Sequence, residues 1–245
     1  PEDPCARPSR LLPRAAKPAP PEVVTGTLNV HAILAISTLF RRPHKKRFEN
    51  AIMGLRNISI VQYQNVSTQH ELHRLWLPLH AFRKQIEHFA SSDFELLSID
   101  EALDTMEGKR PIGSRRPIGL TFDNGFQEFE DEVMPLMVQH GFPATLLISP
   151  HRVGTSVEIG GKKMSYLSWS ALRELIEQNV TVGAYADDTW NINRIPEADI
   201  REHITTYKRL LEDKLGTEVR YFGVKEGVPN RKLRDLLIAE GYRAC

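Results

Sequence analysis

The chain has 245 residues, 41% of them hydrophobic and 26% charged, with a formal net charge of +1 and two cysteines. This composition suits one globular domain of about 200 residues with an added tail, and the near-zero charge gives no global electrostatic case for nucleic acid or an anionic membrane. Cys5 and Cys245 are too few for a cysteine-rich metal site or a disulfide framework, no run reaches the ~18 apolar residues of a transmembrane helix, and a first residue of Pro1 marks a processed chain or a fragment.

Residues 1–25 carry seven prolines together with Arg7, Arg10, Arg14 and Lys17. Such a stretch cannot bury enough apolar surface to offset the entropy of ordering, so it reads as an extended arm. Leu28 to Phe40 is apolar and is followed by Arg41, Arg42, Lys45, Lys46 and Arg47. A secretory signal has its charges before the apolar run, so the order here is reversed and the compartment stays open. The segment reads as a short helix or strand packed on the body; the sharper alternative is membrane-surface or protein contact through residues 28–47. Residues 1–57 are taken as this tail and 58–245 as the folded domain.

Ile58 to Val66 alternates and predicts a strand. His70 and His73, three apart, read as solvated or packed histidines. Pro78 to Ala90 predicts a helix with Phe82, Ile86 and Phe89 on one side, and Phe94 to Leu97 a short strand. Ser98 and Glu101 form a capping-box pattern that opens a helix through Met106. Lys109, Arg110, Arg115 and Arg116 read as a solvated basic loop. Ile118 to Asp123 predicts the central strand. Phe126, Phe129, Val133, Leu136, Met137 and His140 then follow helical spacing to a stop at Gly141, with Pro135 bending that helix or marking its start.

Ala144 to Ser149 is the next strand, and Gly154 to Ser165 a loop or small hairpin. Ser168 or Ser170 caps a helix to Gln178, with Leu172, Leu175 and Ile176 inward. Val180 to Ala184 predicts a strand. Ile200, His203, Ile204, Tyr207, Leu211 and Leu215 mark a long amphipathic helix ending at Gly216. Val219 to Val224 is the last strand, and Leu233, Leu236 and Leu237 the last helix, ending near Gly241. Alternating strands and helices imply an α/β fold on a parallel sheet, open or closed into a barrel.

The most informative stretch is Leu120-Thr121-Phe122-Asp123-Asn124-Gly125-Phe126. An apolar strand ends in polar side chains and a glycine, at the strand end where α/β folds place their chemistry. The plain alternative is an ordinary turn, since Asn-Gly is a common turn dipeptide. Thr121-Phe122-Asp123-Asn124-Gly125 is one residue away from Thr-Phe-Asp-Asp-Gly, the first motif of the polysaccharide deacetylase family, the NodB-homology carbohydrate esterases. Phe82-Arg83-Lys84-Gln85-Ile86, Phe94-Glu95-Leu96-Leu97-Ser98, Met134-Pro135-Leu136 and Gly141-Phe142-Pro143-Ala144-Thr145 resemble that family's flanking elements. The resemblance covers roughly residues 58–245. It implies a distorted seven-stranded β/α barrel and hydrolysis of the acetamide C–N bond of N-acetyl amino sugars in a polysaccharide.

That hydrolysis attacks an unactivated amide, and a bound divalent metal lowers the pKa of water to about 7 and polarises the carbonyl. The resemblance implies a metal held by the second aspartate of the first motif and two histidines of a later His-x-x-x-His, with the first aspartate as general base. Asp123 matches the base. Asn124 falls at the metal-binding aspartate. The second motif should follow the Val180 strand, where the chain reads Val182-Gly183-Ala184-Tyr185-Ala186-Asp187-Asp188-Thr189. Tyr185 and Thr189 therefore stand at the histidine positions. Deprotonating Tyr185 for a metal would cost about 4 kcal/mol at pH 7, and three neutral oxygen donors should not hold zinc. Tyr63-Gln64 stands where the family often has Tyr-His. Phe222-Gly223-Val224-Lys225-Glu226-Gly227 replaces Phe-Ala-Tyr-Pro-Tyr-Gly, and the family's late histidine would lie beyond Cys245.

The sequence thus predicts a deacetylase-like domain that is catalytically impaired and serves as a glycan-binding or partner surface. Its expected contacts are Asp123, Asn124, Gly125, Tyr185, Thr189 and Phe222, and no metal ligand is assigned. The alternative is an active deacetylase with zinc or another divalent cation in an atypical site. That site would use Asp187 and Asp188 beside Asp123, or a histidine brought in by folding from His140, His151 and His203.

Overall fold

The computed structural model describes residues 27–29, 58–186, 195–224 and 231–244 of the chain. Among these residues seven strands join in one sheet, in which every pairing is parallel: β1 (Thr27–Asn29), β2 (Ser59–Tyr63), β5 (Phe94–Leu97), β6 (Arg116–Asp123), β7 (Ala144–Ile148), β10 (Val180–Ala186) and β11 (Phe222–Val224). The order is β1-β2-β6-β7-β10-β11, with β5 also on β6. Two small ladders lie outside it, the pair β3 (Val66–Ser67) and β4 (Leu77–Pro78) and the hairpin β8 (Ser156–Ile159) and β9 (Lys162–Ser165). The helices are α1 (Leu79–Ser91), α2 (Ile99–Met106), α3 (Met134–His140), α4 (Trp169–Glu177), α5 (Glu197–Leu215) and α6 (Arg231–Ala239).

Side chains of a strand alternate between faces, and although the central strands are buried on both, the two faces feed separate apolar clusters. Val61 and Tyr63 of β2, Ile118, Leu120 and Phe122 of β6, Leu146 and Ile148 of β7, Ala184 and Ala186 of β10 and Phe222 of β11 all join the main core. There they meet Phe82, Ile86 and Phe89 of α1, Leu136 and Met137 of α3, Leu172 and Leu175 of α4, Leu211 of α5 and Leu233 of α6. The intervening residues point the other way. Leu147 of β7, Tyr185 of β10 and Tyr221 form a separate buried cluster with Leu103 of α2.

The reason α2 reaches that second face lies in how β6 is shared. β2 pairs with residues 118–122 of β6, while β5 pairs with 116–119 and β7 with 121–123. A strand has only two edges, so β5 and β7 must share the one opposite β2. The sheet forks there, and α2, which follows β5, covers the face of β7 and β10. The capping box forms as the sequence predicts: Ser98 Oγ accepts from the Glu101 amide at 3.2 Å, and Glu101 Oε2 accepts from the Ser98 amide at 2.9 Å.

Most other elements fall where the sequence places them, with instructive differences. Ile58 to Val66 is two strands, because the chain turns at Gln64 and Asn65 before β3. The stretch from Phe126 is not one helix: a π-turn at Phe129–Val133 precedes α3, and Pro135 sits at the start of α3, where its missing N–H costs nothing. Gly141 ends α3 in the left-handed region at φ 63°. The Gly154 to Ser165 region is a hairpin with Gly160 and Gly161 at its turn, both at positive φ. The last strand is shorter than predicted, since the Val219 amide is held by Glu212 Oε1 at 2.9 Å instead of by the sheet. The basic loop is paired rather than merely solvated: Arg110 meets Glu95 at 2.7 Å, Lys109 meets Glu107 at 2.5 Å, and Arg116 lies 4.3 Å over the Phe94 ring.

Of the segment from Leu28 to Arg47, only residues 28 and 29 fall within the described residues, in β1. The other expectations for residues 1–57 lie outside them, as do Asp187, Asp188, Thr189, Lys225, Glu226 and Gly227. Among the described residues no helix is long and apolar enough to cross a membrane.

Candidate functional site

Asp123 ends β6 on the face away from the main core, and is buried at 4% exposure. Its neighbours on that face come from other strands by the same alternation. Gln62 of β2 donates from Nε2 to Asp123 Oδ2 at 2.6 Å. Tyr185 of β10, itself 1% exposed, hydrogen-bonds to the Asp123 carboxyl through its phenol. Asp123 Oδ1 is buried without a hydrogen-bond partner among the described residues. Burial pushes the Asp123 carboxyl up to about 7, while the bonds from Gln62 and Tyr185 pull it back down. The group is therefore poised between acid and carboxylate near neutrality, the range in which a proton donor or acceptor is most useful.

Asn124 and Gly125 make the turn out of the strand. Both have positive φ, 70° and 73°. Asparagine and glycine tolerate that region best, which accounts for this dipeptide in steric terms. The Asn124 amide is committed: Nδ2 donates to the backbone carbonyl of Gln64 at 3.0 Å, tying the β6 turn to the end of β2. At Gly125 a Cβ would fall 2.6 Å from Ile148 Cγ2, and its carbonyl accepts from the Leu167 amide at 2.9 Å. A further wall stands beside this turn, where the Phe126 ring stacks on Tyr166 at 4.6 Å and meets Trp76 at 5.4 Å.

The structure thus brings Asp123 and Tyr185 together, keeps Asn124 and Gly125 at the adjoining turn, and adds Gln62, which sequence reasoning missed. The signal for Gln62 was available: in Ser59–Tyr63 it is the polar residue at an inward position on the strand beside the motif strand. Phe222 lies apart from these groups. At 1% exposure it faces the helical layer and packs edge-on against Tyr242 at 5.4 Å. Gly183 sits on the Asp123 side, where a Cβ would meet the Tyr221 carbonyl oxygen at 2.9 Å. His140 stacks on Phe142, and His151 and His203 both lie against Tyr207.

A divalent cation needs several basic donors free to converge on it. Here Asp123 Oδ2 accepts from the Gln62 amide, Asn124 turns its NH2 group to a carbonyl, and Tyr185 brings a phenol to the carboxyl where an imidazole would be needed. No group of three or more His, Cys, Asp or Glu suited to an ion occurs among the described residues. These donors, as arranged, do not fit a zinc-type centre.

This α/β fold with a curled, parallel half-barrel sheet is shared with solved deacetylase structures. The polysaccharide deacetylase family model matches residues 110–245, and the chain belongs to that family. Three solved structures show the likeness in fold. IcaB from Ammonifex degensii is 20% identical with a TM-score of 0.66, covering 75% of this chain and 80% of that one. The deacetylase PplD of Streptococcus pyogenes, solved with acetate, is 14% identical at 0.66, covering 77% and 82%. A de-N-acetylase from Aggregatibacter actinomycetemcomitans is 12% identical at 0.63, covering 75% and 84%. No match occurs among curated proteins.

Proposed function

We propose that this is a polysaccharide deacetylase-family domain that holds its glycan, an N-acetyl amino-sugar polymer, without cleaving it. The observation that carries the reading is the Tyr185 phenol bonded to Asp123, in the place where the family resemblance puts a metal-bound histidine. With a phenol beside it in place of a metal ligand, this carboxyl would lack a metal to activate a water for it. Asn124 and Gly125 then form the rim that a sugar touches, and Thr189 stays a proposed sugar contact on the sequence alone. The same reading takes the parallel sheet as the family's distorted seven-stranded barrel.

The test is metal binding and acetate release measured together on the stripped, purified protein. The expected result is no stoichiometric tight zinc by calorimetry, no acetate from chitin-like oligomers, and measurable binding of those oligomers. One tightly bound zinc equivalent with acetate release, abolished in Asp123→Ala, overturns the proposal and favours the active deacetylase with an atypical centre. Absence of oligomer binding alongside absence of acetate overturns the glycan-holding role.

A further inference from the structure

Tyr185 and Gly223 are directly paired across β10 and β11. A Cβ built on Gly223 would fall 2.8 Å from Tyr185 Cδ2 and 3.4 Å from Cε2, and 2.7 Å from Leu147 Cδ1. A real Cβ essentially never comes within 3.0 Å of another residue's heavy atoms, so something must give. Gly223 does not have the positive φ that favours glycine, so its backbone alone would accept any residue. Its lack of a side chain is therefore a matter of space, and one edge of the Tyr185 ring takes up that space. The ring is almost fully buried, Gly183 is equally crowded on the same face, and Leu103 of α2 closes over the cluster.

We infer that Gly223 is the positioning residue for Tyr185: the empty position on β11 admits the phenol to the inner face and holds it against Asp123. The inference rests on the proposed reading of the site and deepens it, since it makes the replacement at 185 one half of a fitted pair. The replacement of a ligand position is then matched by a second residue that touches neither a sugar nor a metal. A methyl at 223 forces the ring off Asp123. Leu147 is the softer neighbour, because its terminal methyl can rotate once the ring is gone, so an alanine at 223 is accommodated when Tyr185 is cut back.

The experiment uses the full chain in four forms: unmodified, Gly223→Ala, Tyr185→Ala and the double variant. Thermal melting is read alongside nitration of Tyr185 by tetranitromethane, located by peptide mass spectrometry. In the unmodified chain the buried phenol is protected. Gly223→Ala is expected to lower Tm by several degrees and to raise nitration at Tyr185 several-fold with the far-UV spectrum unchanged. The same change in the Tyr185→Ala background is expected to leave Tm nearly where it was. Should Gly223→Ala fail to fold, a soluble, cooperatively melting double variant supports the pairing just as well, and a double variant that also fails overturns the inference. Equal loss of Tm in both backgrounds, or unchanged nitration in Gly223→Ala, also overturns it. Zinc uptake by the unmodified chain would instead overturn the proposed function and leave this pairing intact.

Discussion

Asp123 shows how much a single buried carboxyl can govern. An ionised carboxylate with one oxygen unsatisfied is expensive inside a protein, so the group takes up a proton far more readily than in water. With a folded value of about 7 against an ordinary 3.8, the native state keeps its proton where the unfolded chain has lost it. Stability from this group is fully present below the unfolded value, falls as pH rises from there to about 7, and stays low above it. Asparagine mimics the protonated acid and carries no such penalty. Asp123→Asn is therefore expected to stabilise the protein at pH 8 by up to about 4 kcal/mol and to change little at pH 4; urea unfolding at the two pH values checks this, and equal effects at both would refute it. The importance of Asp123 was legible in the sequence because strand, motif and turn residues coincide there. Tyr185 was reachable only through the motif resemblance and Gln62 only as a polar residue on a neighbouring strand, since Gln62 lies 61 residues away and the curl of the sheet, not local spacing, brings Tyr185 of β10 to the carboxyl.

At the scale of elements, sequence and structure agree wherever periodicity and end signals act locally. The two-residue period of Arg116–Asp123 sends Ile118, Leu120 and Phe122 to the helices and Gly119, Thr121 and Asp123 to the site side. The helix of Ile99–Met106 shows the same local logic at its first turn, where Ser98 and Glu101 satisfy each other's backbone amides. Ser98→Ala removes half of that box and should cost about 1 kcal/mol, read as a shift in urea midpoint without a change in slope; a cost near zero would mean that the rest of α2 carries its own start. The π-turn before α3 could not be read this way. Phe129, Val133, Leu136 and Met137 satisfy a helical spacing equally well, and only packing of the backbone against its neighbours distinguishes one extra residue in a turn. The small hairpin of β8 and β9 was legible as a choice, loop or hairpin, because consecutive glycines license the turn without fixing the pairing.

At the scale of the whole molecule the unexpected feature is what spans the gap in the half-barrel. After α6 the chain returns beside β11, with the Arg243 amide bonded to the Arg220 carbonyl at 2.7 Å and the Phe222 amide to the Ala244 carbonyl at 3.0 Å. From there Arg243 reaches α2 and its C-cap, meeting Asp100 at 3.0 Å, Glu107 at 3.2 Å and Asp104 more closely still. Arg220 adds a second contact to Asp100 at 2.7 Å, and the Tyr221 hydroxyl donates to the same carboxylate. Among the described strands none pairs β5 with β11, so α2 and this charge network join the two arms where backbone pairing does not. Its acids respond to pH in the opposite sense to Asp123. The Arg243 guanidinium holds Asp104 below its usual range, and Glu107 is held down first by Lys109 and then by Arg243. Carboxylates with lowered values contribute stability above their unfolded pKa and lose it as pH falls through the folded value. The stability curve should therefore rise as pH falls from about 7 towards 4, as Asp123 takes its proton, and drop below that as the network is neutralised. Arg243→Leu should lower Tm by on the order of 5 °C at neutral pH, flatten the acid limb, and leave the slope between pH 7 and 4 untouched. Thermal melts of the two proteins across that range decide it: curves that run parallel down to the lowest pH would show that the arginine network does not join the arms of the sheet.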